Sequence, residues 1–257
     1  MSKRPAEDAA TEENKRFRSA IDAMADDWLC PITCELPIDP VIAEDGRTYE
    51  RSAIEAHIRA RRAELKSPMT NEPMGPRLLP NAQARSTIEK LVRTGAITGD
   101  KAELWRKRIE DEEKVLKTRV AADGGDAEAM CKMGYYHRRG DHGVAKDAAE
   151  AYKWYKRAAD AHEPKGMACA GLCLLGGNGV EKNTVHAMIL LTRAAACGSD
   201  SAAYLLGCCY YDGHNGVPQD STQALYWYEK VACAAFKHLK HSLVELSAQR
   251  VRELRGE

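Results

Sequence analysis

The chain has 257 residues, enough for about two domains, and its 38 basic and 38 acidic residues give a formal net charge of zero. This balance predicts neither a nucleic-acid-binding protein nor a membrane-surface protein. There is no apolar run long enough to span a bilayer, no signal peptide and no paired spacing among the nine cysteines, so we expect an intracellular protein, cytoplasmic or nuclear, with reduced thiols.

Residues 1–25 are polar and rich in alanine, which predicts a disordered tail. The tail carries two basic clusters separated by ten residues, the first being Lys3 and Arg4 and the second Lys15, Arg16 and Arg18. Clusters at this separation resemble a bipartite nuclear-import signal, whereas the simpler interpretation is a solvated charged tail. Both interpretations stay open.

The next stretch, residues 26–95, predicts a small domain that begins with a loop and a hairpin. Prolines punctuate its first limb and exclude a helix there. The apolar pair Val41–Ile42, the turn signal Asp45–Gly46 and the pair Thr48–Tyr49 predict a β-hairpin.

Two helices are predicted to follow the hairpin. The first runs from Arg51 to Ala63, with Ile54 and Ile58 on one face, Ser52 as its N-cap and Ser67–Pro68 beyond its end. The second runs from Asn81 to Val92. Its expected inward stripe consists of Ala84, Ile88 and Leu91.

A core of this size is marginal and usually needs additional stabilisation. Cys30, Cys34 and His57 are too few to hold even one structural zinc ion, which takes four ligands, so we expect no metal and no other cofactor. Buried polar groups persist only when they are paired. We therefore expect a polar network with backbone amides in place of the metal, drawn from Glu35, Asp45, Ser67, Thr70 and Asn81.

The motifs of this stretch resemble the U-box, the metal-free relative of the RING finger in ubiquitin ligases. In order they are Trp28-Leu29-Cys30-Pro31-Ile32-Thr33, Asp39-Pro40-Val41, Gly46-Arg47-Thr48-Tyr49-Glu50, Ile54-Glu55-Ala56-His57-Ile58, Ser67-Pro68-Met69-Thr70 and Leu79-Pro80-Asn81. The resemblance implies that two loops and the first helix dock a ubiquitin-conjugating enzyme, with no covalent intermediate on this chain.

Five positions of this sequence match the family's functional positions. The resemblance assigns conjugating-enzyme binding to Ile32 and Cys34 of the first loop, His57 of the helix and Pro68 of the second loop. Asn71 stands where the strongest ligases of this type carry an arginine or lysine that positions ubiquitin. Its amide can donate two hydrogen bonds but carries no charge.

Residues 99–122 are dense in charge and predict a connecting helix with Asp100 as N-cap and an end at Gly124–Gly125. Its sparse apolar stripe is expected to consist of Leu104, Trp105, Ile109, Leu116 and Val120. Two arrangements stay open for this helix: packing on the domain that follows, or pairing with a second copy in a homodimer.

From residue 126 to 235 the sequence repeats with a period of 36–37 residues. Glycines recur in step, and each copy has a cap residue before its second helix: Asp147, Asn183 and Asp220. The second helices carry buried-face stripes at helical spacing. A fixed period of this length predicts a helical solenoid, and residues 238–255 predict a closing helix with Leu239, Leu243, Leu246 and Leu254 inward.

The repeats resemble Sel-1-like repeats, relatives of tetratricopeptide repeats. This resemblance implies a concave face that binds a protein substrate or adaptor. The expected fold is therefore multidomain and mainly α, a small α+β U-box without metal followed by an α–α solenoid. The expected activity is that of a ubiquitin-protein ligase acting with a conjugating enzyme, and the alternative is a non-catalytic scaffold with a degenerate U-box.

Overall fold

The computed structural model describes residues 26–61, 64–213, 216–232 and 241–256. These residues form ten helices and one three-stranded sheet, which confirms the mainly helical fold class. The described residues up to Glu110 form one compact unit, and those from Asp111 onward form a second. The tail 1–25 with its two basic clusters lies outside the described residues. None of the helices described is long and apolar enough to cross a membrane.

The sheet of the first unit is antiparallel, in the order β2-β1-β3. Its strands are β1 (Pro40–Ile42), β2 (Thr48–Glu50) and β3 (Leu79–Pro80). The β1–β2 hairpin is as predicted, with Gly46 at a φ of 76° in the turn. The third strand was not predicted, because two residues that include a proline show no alternation.

Helix α1 (Arg51–Ala60) is shorter than predicted and begins differently. Its N-cap is Glu50, whose side chain does not cap the helix, and Ser52 is exposed within the first turn. Helix α2 (Ala82–Arg93) begins as expected, because the side chain of Asn81 accepts a hydrogen bond from Ala84 N at 3.0 Å. Its inward stripe is confirmed for Ala84 and Ile88, whereas Leu91 is half-buried and Val92, which was not predicted, is buried.

The first unit has two apolar clusters. One lies under the hairpin and α1 and contains Cys30, Val41, Ala43, Tyr49 and Ile54. The other lies under α2 and contains Leu36, Ile88, Val92, Ile97, Ala102 and Trp105. Because Ala102 and Trp105 belong to α3 (Gly99–Asp123), the start of this helix completes the core of the first unit.

The predicted apolar stripe of α3 is wrong in part. Leu104, Leu116 and Val120 are 41%, 60% and 66% exposed. The residues that pack inward are Ala102, Trp105 and Ile109 in the first unit, and Val115 and Ala122 in the second. The charge-dense sequence gives α3 weak amphipathicity, so contacts at its two ends, and not leucine spacing, decide which residues are buried.

The second unit contains three helix pairs and a closing helix. They are α4 (Ala127–Arg139) with α5 (Ala148–Asp160), α6 (Pro164–Gly176) with α7 (Thr184–Ala196), α8 (Asp200–Asp212) with α9 (Ser221–Ala232), and then α10 (His241–Arg255). The predicted caps are confirmed: Asp147, Asn183 and Asp220 each accept hydrogen bonds from amides in the first turn that follows.

Glycines set the close spacing of the helix pairs. A Cβ atom at Gly134 would lie 2.6 Å from the ring of Tyr155, and one at Gly207 would lie 2.7 Å from the ring of Tyr228. The missing side chain therefore lets the aromatic residue of the second helix reach the backbone of the first.

The closing helix differs from its prediction at Leu246, which is 43% exposed. Its neighbour Ser247 is buried instead, and Arg250 lies over the ring of Tyr211 at 4.7 Å. The buried face of the helix therefore includes Ser247, and the adjacent Leu246 faces outward. Leu239 and the side chain of Leu243 lie outside the described part of the chain.

Candidate functional site

The first loop, residues 30–35, is closed by two backbone hydrogen bonds. Cys30 N donates to Glu35 O at 2.8 Å, and Cys34 N donates to Cys30 O at 2.8 Å. Cys34 takes a left-handed φ of 56° to make this turn. The hydroxyl of Thr33 accepts from Glu35 N at 3.4 Å.

The second loop, residues 67–72, has the same frame. Ser67 N donates to Glu72 O at 2.8 Å, and Asn71 N donates to Ser67 O at 3.0 Å. Asn71 has a φ of 59°, and the hydroxyl of Thr70 accepts from Glu72 N at 3.4 Å. Two stretches far apart in the chain therefore fold into two copies of one loop.

The sequence carries a signal for this duplication that was not among our predictions. Cys-Pro-Ile-Thr-Cys-Glu at 30–35 and Ser-Pro-Met-Thr-Asn-Glu at 67–72 share proline, a large apolar residue, threonine and glutamate in the same order. The aligned apolar residues are Ile32, 38% exposed, and Met69, 49% exposed. Met69 was not among our predicted site residues.

The predicted site residues differ in exposure. Cys34 and Asn71 are exposed at matching places of the two loops, whereas Pro68 is half-buried. His57 is half-buried on α1, and its Nε2 donates to Lys66 O at 2.8 Å. This hydrogen bond joins α1 to the base of the second loop.

A serine–aspartate pair holds the second loop on the hairpin. Ser67 is 4% exposed, and its hydroxyl accepts from Met69 N and Thr70 N, both at 3.1 Å. The same hydroxyl donates to Asp45 Oδ2 at 2.6 Å, and the Tyr49 hydroxyl donates to that oxygen at 2.7 Å. Partial burial opposes ionisation of Asp45, but these hydrogen bonds outweigh it and hold the carboxyl pKa below its usual value.

Acid is expected to loosen the second loop. Because the pKa of Asp45 is lower in the folded state, its stabilising contribution is complete above the unfolded pKa of about 3.9 and is lost as pH falls through the folded pKa. Asp45→Asn is expected to cost about 1–2 kcal/mol near neutral pH, because a neutral amide oxygen accepts from the two hydroxyls more weakly than a charged carboxylate does. Hydrogen exchange at residues 64–75, followed by mass spectrometry, measures the loss.

Asp27→Asn at an exposed position is the matched control. The difference between Asp45→Asn and the wild type is expected to shrink as pH falls below about 4, because protonation removes the same charge. A difference that stays constant down to pH 2 would contradict the assignment.

The first loop is held from the other side by α3. Arg108 Nη1 donates to Glu35 Oε2 at 3.0 Å and to Leu36 O at 3.1 Å, and its Nη2 donates to Glu50 Oε2 at 2.8 Å. Glu50 is 3% exposed and also accepts from Ile38 N at 2.9 Å. Trp105 Nε1 donates to Pro37 O at 3.2 Å.

The polar residues predicted to replace a metal all form hydrogen bonds, but in three clusters and not in one network. Asp45, Ser67 and Thr70 hold the second loop, Glu35 joins the Arg108 cluster, and Asn81 binds Thr48 Oγ1 at 3.1 Å next to β3. Glu50 and Arg108 were missed. Within the described residues there is no group of three or more histidine, cysteine or carboxylate side chains that could hold a metal ion.

Two protein families match this chain, one in its first part and one in its second. The U-box domain family matches residues 24–95, and the Sel1 repeat family matches residues 127–162, 166–199 and 200–235. A relative from Danio rerio, "WD repeat, SAM and U-box domain-containing protein 1", is 52% identical over 64 residues, which is 24% of this chain and 13% of that protein. The "Putative E3 ubiquitin-protein ligase LIN-1" of Lotus japonicus is 41% identical over 54 residues, 21% of this chain and 4% of that protein.

A solved Sel1 repeat protein from Oxalobacter formigenes matches with a TM-score of 0.44 and 28% identity, covering 55% of this chain and 98% of that one. The two named U-box relatives are each matched over less than a fifth of their own length. The family matches confirm both resemblances drawn from the sequence. The chain therefore carries a U-box domain, the domain of a ubiquitin ligase family, followed by an array of three Sel1 repeats.

Proposed function

We propose that this protein is a U-box ubiquitin-protein ligase. Its two loops and α1 dock a ubiquitin-conjugating enzyme, and its repeats recruit a protein substrate or adaptor. The relative from Lotus japonicus, named as a putative E3 ubiquitin-protein ligase, supports this activity at the level of the family.

The observation that carries the proposal is the pair of equivalent loops. Each presents an exposed large apolar side chain, Ile32 or Met69, on a backbone frame fixed by the same hydrogen bonds. Exposed apolar side chains on a rigid frame fit an enzyme-docking surface, because little conformational entropy is lost on binding. Cys34, His57 and Pro68 complete the proposed docking surface.

In the proposed mechanism this chain acts only by positioning the conjugating enzyme and its ubiquitin. The thioester between a conjugating enzyme and ubiquitin is already reactive, and the substrate lysine attacks its carbonyl while the enzyme thiolate leaves. Holding ubiquitin in one attack-ready conformation removes an entropic part of the barrier. A donor such as the Asn71 amide would stabilise that conformation by hydrogen bonding, and no bond forms to this chain.

An in-vitro assay tests the proposal, using activating enzyme, ubiquitin, ATP and a panel of conjugating enzymes with the full chain. Wild type is expected to form ubiquitin conjugates with at least one panel member, and Ile32→Ala is expected to reduce them with an unchanged melting temperature. If no panel member formed conjugates, the alternative function, a non-catalytic scaffold with a degenerate U-box, would be favoured.

Asn71 is expected to act on transfer and not on docking. Its left-handed φ of 59° is one that glycine adopts freely, so Asn71→Gly removes the amide side chain without backbone strain. Loss of one hydrogen bond worth about 1 kcal/mol predicts about a fivefold slower discharge of ubiquitin from the bound conjugating enzyme. Single-turnover discharge to free lysine at saturating ligase measures this rate.

Cys34→Gly is the matched control, because Cys34 occupies the same place in the first loop with a φ of 56°. It is expected to weaken binding of the conjugating enzyme while leaving the saturated discharge rate unchanged. If Asn71→Gly also changed only the affinity, Asn71 would be a docking residue and not a ubiquitin-positioning one.

Two further expectations stay proposals. The basic clusters of the tail would direct import into the nucleus, giving a protein of the cytoplasm, the nucleus or both. The repeats would bind their partner mainly through side chains of the first two repeats, because α4, α5 and α6 line two adjacent cavities.

A further inference from the structure

Two adjacent cavities form a groove across the first two repeats, here called the repeat groove. They measure about 260 Å³ and 290 Å³ and share Arg138, Tyr155 and Cys169 in their walls. The groove is therefore continuous from α4 across α5 to α6.

The charge of the repeat groove is predominantly positive. Its walls include Lys132, Arg138, Lys146 and Lys165 against one carboxylate, Glu128. Glu128 pairs with Lys132 at 3.2 Å, and among the described residues the other three cations have no carboxylate within 4.0 Å. Three exposed positive charges therefore remain for a ligand.

Arg138 is arranged to receive an anion. Its guanidinium lies 5.4 Å from the centre of the Tyr135 ring, which is 39% exposed. A guanidinium stacked on an aromatic ring keeps its N–H groups free at the edge, where they match the two oxygens of a carboxylate.

The hydroxyl of Tyr155 is a second polar feature of the groove. Tyr155 is 2% exposed, and its hydroxyl makes no hydrogen bond within the described part of the chain. The matching residue of the third repeat, Tyr228, donates to Cys208 Sγ at 3.4 Å. Burial raises the pKa of Tyr155, so its hydroxyl stays protonated and can donate to an acceptor in the groove.

Most of the remaining wall residues are apolar, the exceptions being Asn178 and Ser201. Leu172 is 38% exposed at the edge of the first cavity. Burial raises the pKa of Cys131 to about 12 and that of Cys173 to about 11, so these thiols are protonated and behave as small apolar groups. The groove therefore offers cations and a donor around an apolar floor.

We propose that the repeat groove binds an acidic peptide segment of a protein partner. Peptide carboxylates would contact Arg138, Lys146 and Lys165, the Tyr155 hydroxyl would donate to a peptide oxygen, and one apolar peptide side chain would pack against Leu172. The inference rests on the proposed recruiting role of the repeats and gives the chemical class of the recruited segment.

Selection from a random dodecapeptide library displayed on phage, with the immobilised full chain as bait, tests this. Enriched peptides are expected to carry at least three aspartates or glutamates and one leucine, isoleucine or phenylalanine. Fluorescence polarisation with one enriched peptide is expected to show at least a tenfold weaker Kd for Arg138→Glu and for Lys165→Glu. Tyr155→Phe should weaken binding about threefold, the effect of about 0.7 kcal/mol from one hydrogen bond.

Lys156→Glu is the matched control, since it makes the same charge change at an exposed position of α5 outside the groove walls. It is expected to change Kd less than twofold. Enrichment of neutral or basic peptides, no enrichment at all, or an unchanged Kd for both charge-reversal variants would overturn the inference. Because selection uses neither conjugating enzyme nor ubiquitin, its failure alongside intact ligase activity removes only this inference.

Discussion

Arg108→Met is expected to lower the stability of the first unit by about 3 kcal/mol and its melting temperature by more than about 10 °C. The reason is Glu50, whose side chain is 5% exposed and whose Oε2 lies 2.8 Å from Arg108 Nη2. Removing the arginine leaves a buried carboxylate whose remaining hydrogen bond within the described residues comes from the Ile38 amide. Thermal unfolding, resolved by hydrogen exchange in the first unit, measures the effect.

A second substitution tests whether Arg108 stabilises the first unit through its ion pair with Glu50 or only through packing of its side chain. Glu50→Gln added to Arg108→Met removes the buried charge while its carbonyl can still accept from Ile38 N, so it is expected to restore much of the lost stability. Arg119→Met, at an exposed position of the same helix, is the control and is expected to have little effect. If the double variant were no more stable than Arg108→Met, Arg108 would stabilise the first unit only through packing of its aliphatic carbons.

Ile32→Asp is expected to reduce binding of a conjugating enzyme at least tenfold while leaving the melting temperature within about 2 °C of wild type. Ile32 is 38% exposed on a loop whose frame comes from backbone hydrogen bonds, so the change leaves the core intact. In the docked complex it would place a carboxylate against apolar surface, where no partner offsets its desolvation. Biolayer interferometry with a panel of conjugating enzymes measures the loss.

Ile189→Asp provides the control for this prediction. Ile189 is 51% exposed on α7, so the same chemical change is made at an exposed position of the repeats. It is expected to leave binding of the conjugating enzyme unchanged. Equal losses in both variants would mean that Ile32→Asp acts through solubility or folding and not through docking.

Most features specified by local sequence were predicted correctly, although Ser52 and Asp100, predicted as N-caps, lie inside the first turns of their helices. The hairpin turn at Asp45–Gly46, the cap at Asn81 and the repeat caps such as Asp147 are decided by residues within a few positions of one another. The same holds for the repeating glycines, whose spacing reflects helix pairs that each contact their neighbours.

Features that depend on distant partners were missed. Glu50 gives no local sign of burial, because its partner Arg108 lies 58 residues later on a helix expected only to connect domains. The exposed Leu116 and Val120 and the buried Ala102 show that α3 is oriented by its neighbours at each end and not by its own hydrophobicity. A weak periodic signal in a charged helix cannot decide this.

The candidate site was predicted in part. The sequence pointed to both loops and to several polar residues that hold them, but not to the equivalence of the two frames. That equivalence explains Asn71 in conformational terms, since asparagine tolerates a left-handed φ better than most residues. Its proposed contact with ubiquitin is a separate matter that only the discharge rate decides.

The most direct test of the central claim, that two metal-free loops form one docking surface, is calorimetric titration of the full chain with a conjugating enzyme in excess chelator. Binding to at least one conjugating enzyme is expected to be undiminished by the chelator and weakened at least tenfold by Ile32→Asp. Absence of binding across the panel, or binding equally tight after that substitution, would contradict the claim.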